Sequence, residues 1–517
     1  MTTDFPDALH APLSRVQTAF DPALFAELSA EWRTCLLAHF ERVANREEKV
    51  LNWDPPYANI ALARQYLQQG TQHQTDQHPV DMKSQVDLED ISLRFRQLLQ
   101  ASLDHGQNLH HPRYIGHQVP ASVPLAGLFD AMGAVTNQVM AIYEMGPWAT
   151  AVEGALVQEI GQRLGFATNS FSGLVTHGGS LANLTALLTA RNVMLENSWT
   201  SGMHSRTDSP VIVTHEAAHY GIARAAGILG IGTDHILKAG LDSRHRLDPV
   251  QLDQLLTELQ SAGKTAMAVT ACSCATPVGA FDPLEEIAEV CQRHQVWMHV
   301  DAAHGGAAMF SDRHRHLLKG IELADSVICD AHKMMFVPAL CAFVFYRNRD
   351  HRFQAFQQSA PYLFDPSAPG MAEIDSGMRT VECTKRAAAM GLWGLWSLLG
   401  EQILSDMVDV TFELGQVFHR KLTDAPDFEV LHQPECNIVA FRYLPEEIRS
   451  SPQADKSAFQ RKLRHRLIES GQFYIVQAEI DGCAALRVAI MNPTTTPGDL
   501  DDLLDALRVL GRELFTA

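Results

Sequence analysis

The sequence predicts an α/β protein. It has a large unit on a mostly parallel sheet, a smaller C-terminal α/β unit and a helical N-terminal arm. Three observations predict this. Between about residues 111 and 395, short β-branched runs alternate with helical stretches, as in a sheet covered by helices on both faces. Beyond about 396, a long helical segment leads to a second, shorter set of strand-like runs, closed by a helix. Before 109, apolar residues recur at spacings of three and four, so each helix buries one face. The expected division is 1–108, 109–395 and 396–517.

The arm carries FAELSAEWRTCLLAHFERVANR and LEDISLRFRQLLQASL, with an exposed Gln/His-rich loop expected between them around Gln68 to His78. Such helices make no large core alone, so the arm is expected to pack on the main unit or on a partner subunit. In the large unit the strand candidates are VIVTH (211–215), MAVTACS (267–273), VWMHVDA (296–302), SVICD (326–330) and CAFVFYR (341–347). Helices such as IARAAGILG and LEEIAEVCQRH lie between them. The last unit offers FEVLH, NIVAFRY, FYIVQAE and ALRVAIM. Asn492-Pro493 then marks a turn before a helix from about Gly498 to Leu514.

Composition narrows the function. The 517 residues are 46% apolar and 20% charged, ordinary for a soluble globular protein. The net charge of −19 (41 basic against 60 acidic) argues against a nucleic-acid or anionic-membrane partner, both of which need a positive surface. Nine cysteines, an odd and dispersed set, suit reduced thiols in the cytoplasm better than a disulfide framework. Cys272 and Cys274 read as strand residues, and no metal is expected. The N-terminus shows no signal-peptide pattern, and no apolar run approaches the ~20 residues that span a bilayer.

The chemistry is concentrated at strand ends. Asp301 follows one strand candidate, and Asp330, Ala331, His332 and Lys333 follow a later one, Lys333 lying 32 residues after Asp301 (333 − 301). An amine and a carboxylate so placed suit pyridoxal phosphate (PLP). The lysine forms an imine with the aldehyde, and the carboxylate keeps the pyridine nitrogen protonated. Upstream, Gly178, Gly179 and Ser180 precede the helical run LTALLTARNVM, a candidate phosphate cradle at a helix N-terminus. His215, Glu216 and His219 spell the HExxH zinc pattern. That pattern needs both histidines inside one helix, whereas VIVTH reads as a strand ending at His215, so a histidine stacked on a cofactor ring is favoured.

The order GGS, His219, HVDAA, Ser326 and Lys333, followed by PYLF and LRVAIMNP, resembles the PLP-dependent group II amino-acid decarboxylases. That family includes glutamate, aromatic amino acid and 2,4-diaminobutyrate decarboxylases, and the resemblance spans roughly residues 105 to 515. It implies fold type I of PLP enzymes and a homodimer with active sites at the subunit interface. By the same resemblance, Lys333 is the imine-forming lysine, and His332 contacts cofactor or substrate. Asp301 pairs with the pyridine nitrogen, Ala303 packs under the ring, and His219 stacks above it. Gly179 and Ser180 hold the phosphate. Arg487 matches an arginine that clamps a substrate carboxylate, and Gln118 a glutamine lining the substrate pocket.

The departures are as informative. His304 follows HVDAA where glutamate decarboxylases have tryptophan. Asp330-Ala331 stands in place of Asn-Pro, and Cys274-Ala275-Thr276 in place of Gly-Thr-Thr. The loop after PYLF, which supplies a tyrosine in several relatives, has none between Phe364 and Trp393, the matching place falling near Gly370. The expected function is an L-amino-acid α-decarboxylase acting on a polar or acidic substrate such as glutamate, aspartate or 2,4-diaminobutyrate. The rivals are an oxidative, aldehyde-forming decarboxylase or another PLP lyase, a silent scaffold, and a zinc hydrolase on His215 and His219.

Overall fold

The structure, a computed structural model, describes residues 6–76, 85–204, 206, 208–356 and 374–516. The chain forms two compact units. One comprises Met1–Tyr114, Lys462–Tyr474 and Leu503–Ala517, the other Ile115–Arg461 and Ile475–Asp502.

The first unit carries helices α1 (His10–Ala19), α2 (Pro22–Ala44), α3 (Pro56–Asp76) and α4 (Gln85–Asp104). The start of α2 is fixed by Asp21, whose side chain accepts the Ala23 N–H at 2.8 Å, and by Pro22, whose missing N–H costs nothing there. The loop expected at Gln68–His78 is corrected as far as Asp76, because α3 runs through it. Gln is a good helix former, and Gly70 alone does not stop the helix; His78 itself lies outside the described residues. Leaving α4, the chain meets the 462–474 segment: Tyr114 stacks on Tyr474 with ring centroids 5.0 Å apart. Phe20, Trp53 and Tyr57 are exposed by 82%, 60% and 84%.

The second unit holds a seven-stranded sheet. Its strands are β1 (Ser172–Thr176), β2 (Val211–Thr214), β3 (Ile236–Lys238), β4 (Ala266–Cys272), β5 (Trp297–Asp301), β6 (Ser326–Asp330) and β7 (Ala342–Tyr346), in the order β1-β7-β6-β5-β4-β2-β3. The run from β6 to β3 is parallel, and β7 is antiparallel to both its neighbours. Every residue of β5, β6 and β7 is buried, as a sheet with two covered faces requires. The five expected strands form within one or two residues of their predicted ends. The sequence reading passed over β1 and β3. The first contains Ser172 and Gly173, and the second has three residues. Gly173 is needed where it stands, since a Cβ there would fall 2.8 Å from the Val344 carbonyl oxygen.

Beyond the sheet, β8 (Phe428–Val430), β9 (Ile438–Tyr443), β10 (Val476–Ile480) and β11 (Cys483–Ala489) form an antiparallel sheet of order β8-β9-β11-β10. Arg487 sits on β11 between Ala440 and Val476. Among the described residues, no helix is long and apolar enough to cross a membrane.

Candidate active site

The parallel strands β4, β5 and β6 end together, and their carboxyl ends open into one cleft, where ligands bind in sheets of this kind. Eight of the nine predicted site residues line it: Gln118, Gly179, Ser180, His219, Asp301, Ala303, His332 and Lys333. Arg487 is not among the lining residues.

Asp301 closes β5, and its carboxylate is held on both oxygens. The Ala303 N–H donates to Oδ1 at 3.1 Å, and Asn183 Nδ2 donates to Oδ2 at 2.9 Å. This fixes the network behind it. Asn183 Oδ1 must accept, so His299 Nε2, 2.8 Å away, carries the proton. Burial lowers the His299 pKa to about 4, so the ring is neutral and Nδ1 accepts from Ser326 Oγ at 2.8 Å. Ser326 Oγ in turn accepts from Trp297 Nε1 at 2.9 Å. Every donor in the chain points towards Asp301. A carboxylate so held is positioned to pair with a protonated ring nitrogen.

Lys333 follows β6, and its Nζ lies 3.2 Å from Asp330 Oδ2. Burial works against its charge, but the carboxylates of Asp330 and Asp301 outweigh burial and hold the amine above its ordinary pKa. Asp330 is itself buried, and its Oδ1 has no hydrogen-bond partner. Neighbouring His332 places Nδ1 2.8 Å from the Cys341 carbonyl oxygen and 3.2 Å from the Cys341 N, so that nitrogen is engaged by the Cys341 backbone; Nε2 lies 3.6 Å from Asp330 Oδ2.

The cradle is a helix start. Helix α7 begins at Gly179 and runs to Met194, preceded by helices α5 (Pro124–Val135) and α6 (Pro147–Arg163). No side chain caps it, so its first N–H groups are open to an anion. Gly178 has φ of +108°, a conformation that favours glycine, and a Cβ on Gly179 would lie 2.7 Å from Asp330 Oδ2. A phosphate cradle, a carboxylate for a ring nitrogen and an amine for an aldehyde therefore share one cleft. The residues present fit PLP.

His219 Nδ1 accepts the Gly221 N–H at 3.1 Å, which leaves the proton of the neutral ring on Nε2. Burial lowers its pKa; Asp301 opposes that shift and Lys333 adds to it. The HExxH reading fails on geometry. β2 ends at Thr214, and His215 is buried with Nε2 3.2 Å from Asp282 Oδ2, whereas His219 lines the cleft. Of the departures, Cys274, His304 and Asp330 line the cleft, as does Thr276. Residues 361–370, with the PYLF segment and Gly370, lie outside the described residues.

Arg487 is buried behind this wall, and burial lowers its pKa to about 10. Its Nε and Nη2 have no hydrogen-bond partner.

The sequence reading missed Asn183, His299 and Ser326. A signal existed for two of them. Asn183 is four residues beyond Gly179, on the same helix face, and His299 is two before Asp301, on the same strand face. Nothing local linked Ser326 to His299.

The pyridoxal-dependent decarboxylase conserved domain matches residues 71–444. Cysteine sulfinic acid decarboxylase of Mus musculus is 30% identical over 454 residues, covering 84% of this chain and 90% of the relative. An acidic amino acid decarboxylase of Bos taurus is 29% identical over 451 residues, covering 84% and 85%. The crystal structure of mouse CSAD superposes with a TM-score of 0.83 at 27% identity, covering 95% of this chain and 99% of that one. The 4-hydroxyphenylacetaldehyde synthase of Rhodiola rosea shares the fold, with a TM-score of 0.79 at 18% identity and coverage of 95% and 99%.

Proposed function

The chain belongs to the pyridoxal-dependent decarboxylase family, and from that premise we propose that it removes the α-carboxylate of a small L-amino acid with an acidic side chain. It is a PLP-dependent carboxy-lyase of fold type I. The substrate class is the new part. The observation that carries it is the buried Arg487 guanidinium with Nε and Nη2 unpartnered, since a buried cation without an anion is costly. A substrate carboxylate or sulfinate relieves that cost, and the relatives named for cysteine sulfinic acid and acidic amino acids fit the same chemistry.

The cofactor supplies an electron sink for the bond to the leaving carboxylate. The chain's own residues do the rest. Asp301, held by Asn183 and the Ala303 N–H, would keep a proton on the ring nitrogen. Gly179, Ser180 and the open N–H groups of α7 grip the phosphate, and Lys333 provides the tethering amine. Ala303 and His219, which both line the cleft, would hold the ring. His219, with its proton on Nε2, is the donor we assign for returning a proton to Cα. His332, whose Nδ1 is engaged by Cys341, contacts cofactor or substrate through Nε2. Gln118 lines the cleft and would meet the side chain directly, while Arg487, outside the lining, would favour an anionic side chain through its buried charge.

We further propose a cytoplasmic homodimer. Nine free cysteines suit a reducing compartment, and the exposed Phe20, Trp53 and Tyr57 suit a subunit contact.

The test is a substrate panel. The PLP-loaded protein is incubated with glutamate, aspartate, cysteine sulfinate, 2,4-diaminobutyrate and tryptophan, and carbon dioxide, amine and aldehyde are measured together. Stoichiometric carbon dioxide and amine from an acidic substrate support the reading. Preference for diaminobutyrate or tryptophan removes the acidic assignment, and aldehyde in place of amine moves the enzyme to the oxidative class.

A further inference from the structure

We propose that Cys274, His304 and Cys436 form a binding site for a thiophilic divalent cation of the zinc class, distinct from the residues assigned to PLP. One ligand atom from each lies within 4.8 Å of the other two, and all three residues are buried. The two sulfurs are 3.8 Å apart. Two thiolates bound to zinc at about 2.3 Å in a tetrahedral arrangement stand about 3.8 Å from each other, so this edge of the site is already set.

The histidine supplies the second, independent observation. His304 Nε2 lies 2.8 Å from Asn437 Oδ1. The orientation of that amide is fixed, because Asn437 Nδ2 donates to the Ile490 carbonyl at 3.1 Å and to Met334 Sδ at 3.5 Å. Oδ1 therefore accepts, and the proton of His304 is on Nε2. That leaves a bare lone pair on Nδ1, which is buried and has no partner although the residue is only 2% exposed. Metal-bound histidines characteristically pass their other N–H to such an oxygen, which fixes the tautomer.

The surroundings are shaped to the same end. A Cβ on Gly279 would fall 2.5 Å from Cys436 Sγ, so glycine there makes room for the sulfur. Cys274 and His304 both stand where the sequence departs from the pattern it otherwise resembles, His304 in the place of the tryptophan of glutamate decarboxylases. Cys436 is 162 residues from Cys274, and the fold brings them together. Two cysteines and one histidine fill three of four tetrahedral positions. Because Cys274 and His304 line the cleft, the fourth is left for water or a ligand from that side. Binding exchanges one divalent cation for the two thiol protons, which go to solvent.

The test uses reduced, PLP-loaded protein stripped with a chelator, then titrated with zinc against a chromophoric competitor. One equivalent is expected per chain, with two protons released into weak buffer and a zinc X-ray absorption spectrum showing two sulfur neighbours and a nitrogen. Cys436→Ser, outside the catalytic residues, is expected to lose the stoichiometric site while keeping the cofactor absorbance. Asn437→Ala is expected to weaken binding by roughly 10–100-fold, as for an outer partner of a ligand histidine. A wild-type protein that takes up no zinc, a zinc shell without sulfur, or equal binding by Cys436→Ser overturns the proposal. The X-ray spectrum decides it even if a variant fails to fold.

Discussion

Asn183 Nδ2 donates to Asp301 Oδ2 at 2.9 Å, and this bond is the last of a series in which each donor faces the carboxylate. Removing it takes a donor from Asp301 and leaves the His299 Nε2–H unpaired in the core. Asn183→Ala is expected to weaken PLP binding roughly tenfold or more, since a hydrogen bond to a charged group is worth about 1.5–3 kcal/mol. Cofactor release on dilution measures it. Unchanged affinity and turnover would take Asn183 out of the site.

Lys333→Ala should yield protein without the visible absorbance of a covalently held cofactor, and borohydride should fix no label to the chain. A reducible coloured species in that variant would show that another amine is the tether.

Asp330 and Asp301 hold Lys333 above its ordinary pKa, and the amine must shed its proton before it attacks an aldehyde. Cofactor loading of the stripped protein should therefore speed up as pH rises. Asp330→Asn removes the neighbouring charge and lowers the Lys333 pKa, so the same rise should occur at lower pH, as stopped-flow absorbance would record. A pH profile that stays in place would mean that Asp330 does not control the amine.

Arg487→Ala should raise KM for the acidic substrate by roughly 10–100-fold with a smaller change in kcat, the loss expected for one or two charge-assisted hydrogen bonds made in the ground state. Initial rates over a substrate series suffice. If KM does not move, the selectivity resides elsewhere, with Gln118 the next residue to change.

Burial lowers His299 to about pKa 4, His304 to about 3 and His432 to about 4, against 6.5 in the unfolded chain. Below pH 6.5 the unfolded chain takes up protons that the folded chain refuses, so stability falls as pH drops from about 6.5 towards 4. The slope is about 1.4 kcal/mol per pH unit for each histidine, roughly 4 for the three together. Above pH 6.5 they contribute no dependence. Denaturant midpoints at pH 7, 6 and 5 measure the slope, and a flat profile would mean that these rings are solvated.

Strands β2, β4, β5, β6 and β7 were legible in the sequence, because a two-sided parallel sheet writes itself as short apolar runs between amphipathic helices. The sequence also showed that Asp301 and Lys333 fall at strand ends, where sheets of this kind bind ligands, and that the residues between them suit PLP. β1 and β3 were not legible, because Ser172, Gly173 and a three-residue length carry no strand pattern and sheet context alone makes them strands. It took the folded arrangement to show how Asp301 is held, that Arg487 keeps unpartnered N–H groups, and that Cys274, His304 and Cys436 meet. These relations join residues as far apart as Asn183 and Asp301, 118 positions, and Cys274 and Cys436, 162 positions, or depend on which nitrogen of a buried ring carries the proton. Local periodicity reports which face of an element is buried. It has no term for what a distant element brings to that face.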